Sequence, residues 1–360
     1  MSDFVDPFTL REGAVGTPPR HYGNPLGEQR ELAAGRAIVD LSDRDILSVT
    51  GPDRLSWLDS LTSQRLAGLA PGHSAETLLL DPSGRVEYAA RVLDDGETTW
   101  LLLDAGTGAG FLAFLSRMRF TLRVEVLDRS QEFATIGTLG EAPAATAVRN
   151  GIPLVWHDPW REIVAGGFQY SAVPVHPGED WNYSEALVER SRLDELGVLP
   201  AAGTLALEAL RIAAWRPRAA TEVDATTIPH ELDWLRSAVH LSKGCYRGQE
   251  TVAKVHNLGH PPRRLVLLHL DGSEGVLPAA DDEVLLADAV VGRVTATALH
   301  HELGPIALAV VKRSADPQAA LAVRSAEGAV LAAAQQVIVP PDAGAEANVP
   351  RIPRVGSTRR

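Results

Sequence analysis

Short apolar runs separated by turn residues dominate the first part of the chain. Turns as short as Asp81-Pro82-Ser83-Gly84 and Asp94-Asp95-Gly96 join antiparallel neighbours, so these runs predict an antiparallel sheet. The predicted strands are 46–50, 74–80, 86–93 and 98–103. Helices are predicted after Gly51-Pro52-Asp53, where proline lies early and leucines share one face, and over 111–120. These helices are expected to pack on the sheet.

The pattern changes twice further along the chain. Between 131 and 240 strands and helices mix, and helices are predicted over 183–196 and 204–215. After Arg264 only short strands follow, which predicts a compact antiparallel β-barrel or sandwich. The predicted strands are 265–270, 283–286, 290–299, 305–312 and 334–339. The fold class is therefore α+β with a C-terminal antiparallel barrel.

This pattern gives the expected domain organisation. Segments without apolar periodicity, rich in Gly, Pro and Ala, predict flexible tails at both ends. The expected units are a tail over 1–17, an α+β region over 18–262, the barrel over 263–340 and a tail over 341–360.

Composition narrows the class of protein. A hydrophobic content of 45% allows a large core, and the net charge of −12 argues against a surface dedicated to nucleic acid or anionic membrane. The N-terminus is acidic where a signal peptide is basic, and no apolar run approaches the roughly 20 residues that span a bilayer. The single cysteine fits a reducing compartment. We therefore expect a cytoplasmic protein that does not contact membranes.

Two motifs resemble a cofactor-binding and a metal-binding sequence, but their context does not support either kind of site. The run Gly106-Thr107-Gly108-Ala109-Gly110 departs from the dinucleotide fingerprint in spacing and follows hairpins where a Rossmann unit needs a parallel crossover. His256 and His260 have a metal-binding spacing, but Gly259 and the prolines after His260 argue against a helix there. No metal ligands are predicted.

The segment Lys243-Gly244-Cys245-Tyr246-Arg247-Gly248-Gln249-Glu250 has the composition of a site loop. Glycines on both sides of Cys245 permit a tight turn, and Gln249 and Glu250 supply hydrogen-bonding groups. Residues 236–264 contain six Lys and Arg against one Glu, a net charge of +5 in an acidic chain. Lys243 and Arg247 are expected to favour the thiolate of an exposed Cys245. An inert, buried cysteine is the alternative, and Tyr246 fits core packing or ligand stacking equally well.

These residues carry a family resemblance. The K-G-C-Y-x-G-Q-E run over 243–250 resembles the signature of the YgfZ family, which is related to the glycine-cleavage T-protein of the aminomethyltransferase superfamily. The segments 210–217, 228–231, 39–42 and 51–53 are also similar to that superfamily, so the likeness covers roughly residues 20–340.

The resemblance implies a ring of three subdomains around a folate-binding opening. It implies tetrahydrofolate or a derivative as cofactor, and a role in assembling or repairing iron-sulfur proteins, which would be partners. Cys245, Lys243 and Glu87 become the candidate catalytic residues. The candidate folate-binding residues are Arg211, Glu231, Tyr246, Arg247, Gly248, Gln249 and Glu250.

The chain departs from the family pattern at several places, and one is that the Tyr-Thr-Gly-Glu-Asp-Gly stretch of the T-protein is not recognisable near Gly166-Gly167-Phe168. The T-protein has adjacent aspartates after a glycine turn, and the turn here retains one carboxylate, Glu87. Where the family pattern has a glutamate and a glycine after Arg211, this chain has Ala213 and Trp215. Two other functions therefore stay open: a tetrahydrofolate-dependent aminomethyltransferase that uses Glu87, and a non-catalytic module in which the basic segment binds folate or RNA.

Overall fold

The computed structural model describes residues 6–273 and 275–347. Within these residues, none of the helices has both the length and the apolar character that crossing a bilayer requires. The α-helices are α1 Pro25–Ala33, α2 Arg54–Leu61, α3 Gly108–Met118, α4 Thr204–Ala213, α5 Ala219–Glu222 and α6 Gln249–Leu258. The strands are β1 Ile38–Asp40, β2 Asp45–Thr50, β3 Ser74–Leu80, β4 Val86–Asp94, β5 Thr98–Leu103, β6 Glu125–Asp128, β7 Phe133–Thr138, β8 Val148–Arg149, β9 Ile152–Pro153, β10 Val155–His157, β11 Ser184–Glu189, β12 Ala201–Ala202, β13 Arg263–Leu270, β14 Glu283–Leu286, β15 Ala289–His300, β16 Gly304–Lys312, β17 Leu321–Arg324 and β18 Val330–Val337.

Two five-stranded sheets form the N-terminal two thirds of the molecule. The first sheet is antiparallel throughout, in the order β3-β4-β5-β2-β6. Helices α2 and α3 bury Trp57, Leu58, Phe111 and Leu115 against it. The second sheet has the order β10-β11-β7-β1-β12, and only its β1–β12 pair is parallel.

The C-terminal strands close into a six-stranded antiparallel barrel in the order β13-β16-β15-β14-β17-β18. Closure pairs β13 with both β16 and β18, so the barrel has no free edge strand. The barrel packs against α4 and α5 through β15, where Thr295 donates a hydrogen bond to Glu222. The predicted α+β class with a C-terminal antiparallel barrel is confirmed.

The prediction of a helix over 183–196 is wrong. This segment forms strand β11 and then a 3-10 helix over Arg190–Leu196. Strand β11 lies between β7 and β10 and is buried on both faces, so it lacks the period-two alternation of a half-buried strand. The short strand β17 was not predicted from the sequence.

Both predicted tails include folded residues. Residues 6–22, the N-terminal strap, insert the fully buried Phe8 into the core beside Ile38 and Ile136. At the other end, Glu346 and Ala347 donate backbone hydrogen bonds to the last turn of α6. The remaining residues of the predicted tails, 1–5 and 348–360, lie outside the described part of the chain.

Candidate functional site

A central cavity of about 390 Å³ lies between the first and second sheets. Its walls come from β4, α4, the segment 216–220 and the N-terminal strap. The strap is held there because the carbonyl groups of Pro19 and Arg20 accept hydrogen bonds from the first backbone N–H groups of α4, which have no partner within the helix. The volume is within the range typical of small-ligand sites, about 300–1,000 Å³.

Buried ion pairs across this cavity join the two sheets. Arg216 donates to Glu76 of the first sheet at 2.6 Å and to Asp158 near the second sheet at 2.8 Å. Arg91 likewise pairs with Glu185, at 3.0 Å, across the same gap. Removing one partner of such a pair leaves a buried charge, so these pairs fix the shape of the cavity.

The predicted folate residue Arg211 lies in this cavity and is already paired. Its guanidinium bonds to Glu208, to Glu222 at 2.9 Å and to the carbonyl oxygen of Arg216. Burial opposes ionisation of Glu208, but Arg211 and then Arg218 outweigh it and lower the pKa of Glu208 to about 2. The charge of Arg211 is therefore neutralised by Glu208 and Glu222, and its side chain forms part of the cavity wall.

Three lining groups remain available to a ligand. The indole N–H of Trp234 is buried and has no hydrogen-bond acceptor among the described residues. Arg20 has no ion-pair partner in the same part of the chain, and Arg218 reaches Glu208 only at 3.6 Å. The cavity thus offers one buried donor, the unpaired cation of Arg20 and the weakly paired cation of Arg218 to a ligand with acceptor atoms and negative charge.

The candidate catalytic residue Lys243 anchors the cysteine loop, residues 242–248. Its buried ammonium donates to the carbonyl oxygens of Asp59, Thr62 and Gln64, which end helix α2, and its charge lies over the ring of Tyr246 at 5.3 Å. Burial lowers the pKa of Lys243. The ammonium also lies 3.5 Å from the carboxylate of Asp59, so the contacts of Lys243 support a role in anchoring the loop.

Other contacts complete the anchoring of the loop. Gly248 has a φ of +84°, and a Cβ there would lie 2.6 Å from the carbonyl oxygen of Asp81. Gln249 donates to the carbonyl oxygen of Lys243 at 3.2 Å and closes the loop. The requirement for glycine is confined to position 248, because a Cβ on Gly244 would meet open space.

The side chain of Cys245 is exposed at the tip of this loop. The expected accessibility is therefore found. The expected position at the edge of the central cavity is not, because Cys245 does not contribute to the described cavity wall. Glu87, the other candidate catalytic group, pairs with Arg247 at 2.7 Å and lines a different groove. Neither Cys245 nor Glu87 therefore lines the central cavity that the structure describes.

The remaining candidate folate residues also lie away from the central cavity. Glu231 is fully buried and pairs with Arg263 at the start of the barrel, at 2.7 Å, although burial raises its pKa. Tyr246 is buried in the core, which favours packing over ligand stacking. Glu250 is exposed in the first turn of α6. None of these three side chains lines the central cavity that the structure describes.

The net positive charge of residues 236–264 does not form a basic surface. Arg236, Lys243 and Arg264 are buried, and Arg263 is paired with Glu231 and Asp224. A basic surface for RNA needs exposed cations, so this arrangement argues against the RNA-binding alternative. The described residues contain no cluster of three or more His, Cys, Asp and Glu side chains suited to a metal ion.

The departure at position 215 has a visible consequence. Trp215 takes the left-handed conformation, with a φ of +58°, at the position where the family pattern has glycine. Its ring is buried against His176, with ring centroids 5.4 Å apart. Ala213 and Trp215 both line a groove between the segment 173–177 and the barrel, and neither belongs to the central cavity wall.

Most residues that line the central cavity were not predicted from the sequence. Arg20 lies in the N-terminal strap and Trp234 begins a 3-10 helix, and neither belongs to a motif, whereas Arg216 lies within the segment 210–217 that resembles the superfamily. One signal was present in Glu185, a carboxylate inside an apolar strand, which indicates a buried partner of opposite charge.

Comparisons with known proteins agree with this architecture. The crystal structure of the glycine cleavage system aminomethyltransferase T from Bartonella henselae superposes with a TM-score of 0.70, covering 93% of this chain and 96% of that chain at 18% identity. The chain therefore has the fold of an aminomethyltransferase. No family model matches it.

Two of the following three sequence relatives carry the same name, aminomethyltransferase. An aminomethyltransferase from Herpetosiphon aurantiacus is 27% identical over 82% of this chain and 83% of its own length. One from Symbiobacterium thermophilum is 28% identical over 77% and 78%. A putative chloroplastic transferase from Arabidopsis thaliana is 24% identical over 87% and 74%. Sequence similarity and fold together support a relationship between this chain and the aminomethyltransferase superfamily.

Proposed function

We propose that this chain binds a reduced folate in the central cavity and uses Cys245 in the assembly or repair of iron-sulfur proteins in the cytoplasm. The observation that carries the folate part is the unpaired donor of Trp234 in a cavity whose carboxylates are largely held by arginines. A pterin ring supplies nitrogen and oxygen acceptors for such a donor. Arg20 and Arg218 would hold the carboxylates of the glutamyl tail.

The iron-sulfur part of the proposal rests on the K-G-C-Y-x-G-Q-E segment. Its contacts keep the loop in one conformation while Cys245 stays exposed, an arrangement suited to a thiol that meets a macromolecular client. A bound folate would supply one-carbon chemistry, and an iron-sulfur protein would be the substrate.

Titration with a reduced folate, followed by calorimetry, tests the folate part. Trp234→Phe keeps an aromatic ring but removes the N–H donor, and should weaken binding about tenfold. Cys245→Ala should leave the affinity unchanged, because Cys245 is not part of the described cavity wall. No binding by the wild type would refute the folate proposal.

Complementation of cells that lack the protein tests the role of the thiol. Cys245→Ser should restore no iron-sulfur enzyme activity while it folds and binds folate like the wild type. A fully active Cys245→Ser protein would exclude the proposed role.

The names of the relatives favour aminomethyl transfer as a second candidate. The geometry argues against Glu87 as its acid-base group, because that carboxylate pairs with Arg247 outside the central cavity. Release of a one-carbon unit from an aminomethylated lipoyl carrier, with activity lost in Glu87→Gln, would favour this candidate.

A further inference from the structure

A second concave site lies beside the cysteine loop. This side groove, about 820 Å³ in volume, runs between α2 and α3 over the first sheet. Its apolar lining consists of Leu61, Tyr88, Phe114 and Met118. The combination of aromatic rings with a flexible methionine suits an apolar ligand of variable shape.

A glycine on α3 leaves room for the aromatic ring that forms the floor of the side groove. The ring of Tyr88 stacks on Phe111, with centroids 5.2 Å apart and an interplanar angle of 19°. Its hydroxyl lies directly against Gly110, and a Cβ at that position would collide with it. The small residue on α3 therefore allows a tyrosine ring to form the floor.

The side groove carries one positive charge that is not neutralised. Arg247 closes one side by pairing with Glu87 at 2.7 Å, and its guanidinium lies 5.7 Å from the ring centre of Phe114. Arg117, on α3, has no ion-pair partner among the residues that the structure describes. An anionic group on a ligand would complement this charge.

The side groove adjoins the cysteine loop through Arg247, although Cys245 itself is not among its lining residues. Arg247 lines it and is two residues from Cys245, so their Cα atoms are at most about 7 Å apart. Cys245 is exposed and is the only cysteine of the chain.

We propose that the side groove is a binding site for an amphipathic carboxylate, a molecule with an aromatic or alkyl body and an anionic group. The apolar body lies over Tyr88 and Phe114, the anionic group pairs with Arg117, and the bound molecule lies beside the loop that carries Cys245. This site is separate from the central cavity, so its occupation does not depend on folate binding.

Two aromatic disulfides serve as probes, because each reports on Cys245 by the same reaction. The thiolate attacks one sulfur, forms a mixed disulfide and releases one aryl thiolate, whose absorbance gives the rate. Dithiobis(nitrobenzoate) carries carboxylates, whereas dithiodipyridine has a similar size and no charge at neutral pH. Because the chain has a single cysteine, the measured rate of thiolate release reports on Cys245 alone.

The rate with dithiobis(nitrobenzoate) should saturate as its concentration rises. Arg117→Ala should lower the second-order rate constant about five- to tenfold, and Phe114→Ala should lower it similarly. Arg117→Ala should leave the rate with dithiodipyridine unchanged. The matched control is Arg119→Ala, which removes an exposed cation two residues further along that does not line the side groove.

Equal losses in Arg117→Ala and Arg119→Ala would mean a general effect of surface charge and would overturn the proposal. An unchanged rate in Arg117→Ala would do the same, since this exposed substitution does not threaten folding. Folate affinity, measured in parallel on the same variants, reports on the central cavity alone. The two proposals can therefore fail independently.

Discussion

Replacing Lys243 by methionine tests whether this residue holds the cysteine loop or acts on the thiol. Methionine keeps an unbranched apolar stem but removes the ammonium that donates to three carbonyl oxygens. Loss of three charge-assisted hydrogen bonds at about 1.5 kcal/mol each is partly offset by the desolvation that the ammonium no longer undergoes. We expect the free energy of unfolding to fall by about 3 kcal/mol.

Urea denaturation followed by tryptophan fluorescence measures this loss as a lower midpoint at unchanged slope. The control is Lys254→Met, which removes an exposed lysine of α6 and should change stability by less than about 0.5 kcal/mol. The pH profile of Cys245 alkylation should be the same in Lys243→Met and the wild type. Unchanged stability together with a shifted alkylation profile would refute the anchoring role and restore the catalytic one.

Three further predictions concern the loop and the buried charges. Gly248→Ala should destabilise the fold by about 1–3 kcal/mol, because φ is positive and Asp81 blocks the Cβ, whereas Gly244→Ala should be tolerated; equal denaturation midpoints for both would contradict this. Arg216→Met should cost about 3–5 kcal/mol in urea denaturation, because it leaves two buried carboxylates unpaired, and an unchanged midpoint would show that they find other partners. Burial raises the pKa of Asp233 to about 7, above its unfolded value, so stability should fall by up to about 4 kcal/mol between pH 4 and 7 and then level off. Asp233→Asn should lack this pH dependence; parallel stability curves for variant and wild type would contradict the assignment.

Local patterns predicted the elements whose neighbours in space are also neighbours in sequence. The strand predicted over 74–80 forms with the same bounds, because a four-residue turn pairs it with the next strand. By contrast, β11 pairs with β7, about 50 residues earlier, and is buried on both faces. Its helix-like pattern of apolar residues carried no information about these partners.

The candidate site residues also divide into those that local sequence patterns indicated and those that only the tertiary structure brought together. The sequence by itself determined that a glycine-containing loop carries the only cysteine, because loop chemistry is a local property, and the family resemblance pointed to Arg211 as a candidate. Tertiary structure alone decided that Lys243 faces the end of α2, that Glu87 meets Arg247, and that Trp234 lines the cavity. Charge partners and cavity walls are set by residues far apart in the chain. The interaction energies between these residues arise only when the sheets pack together.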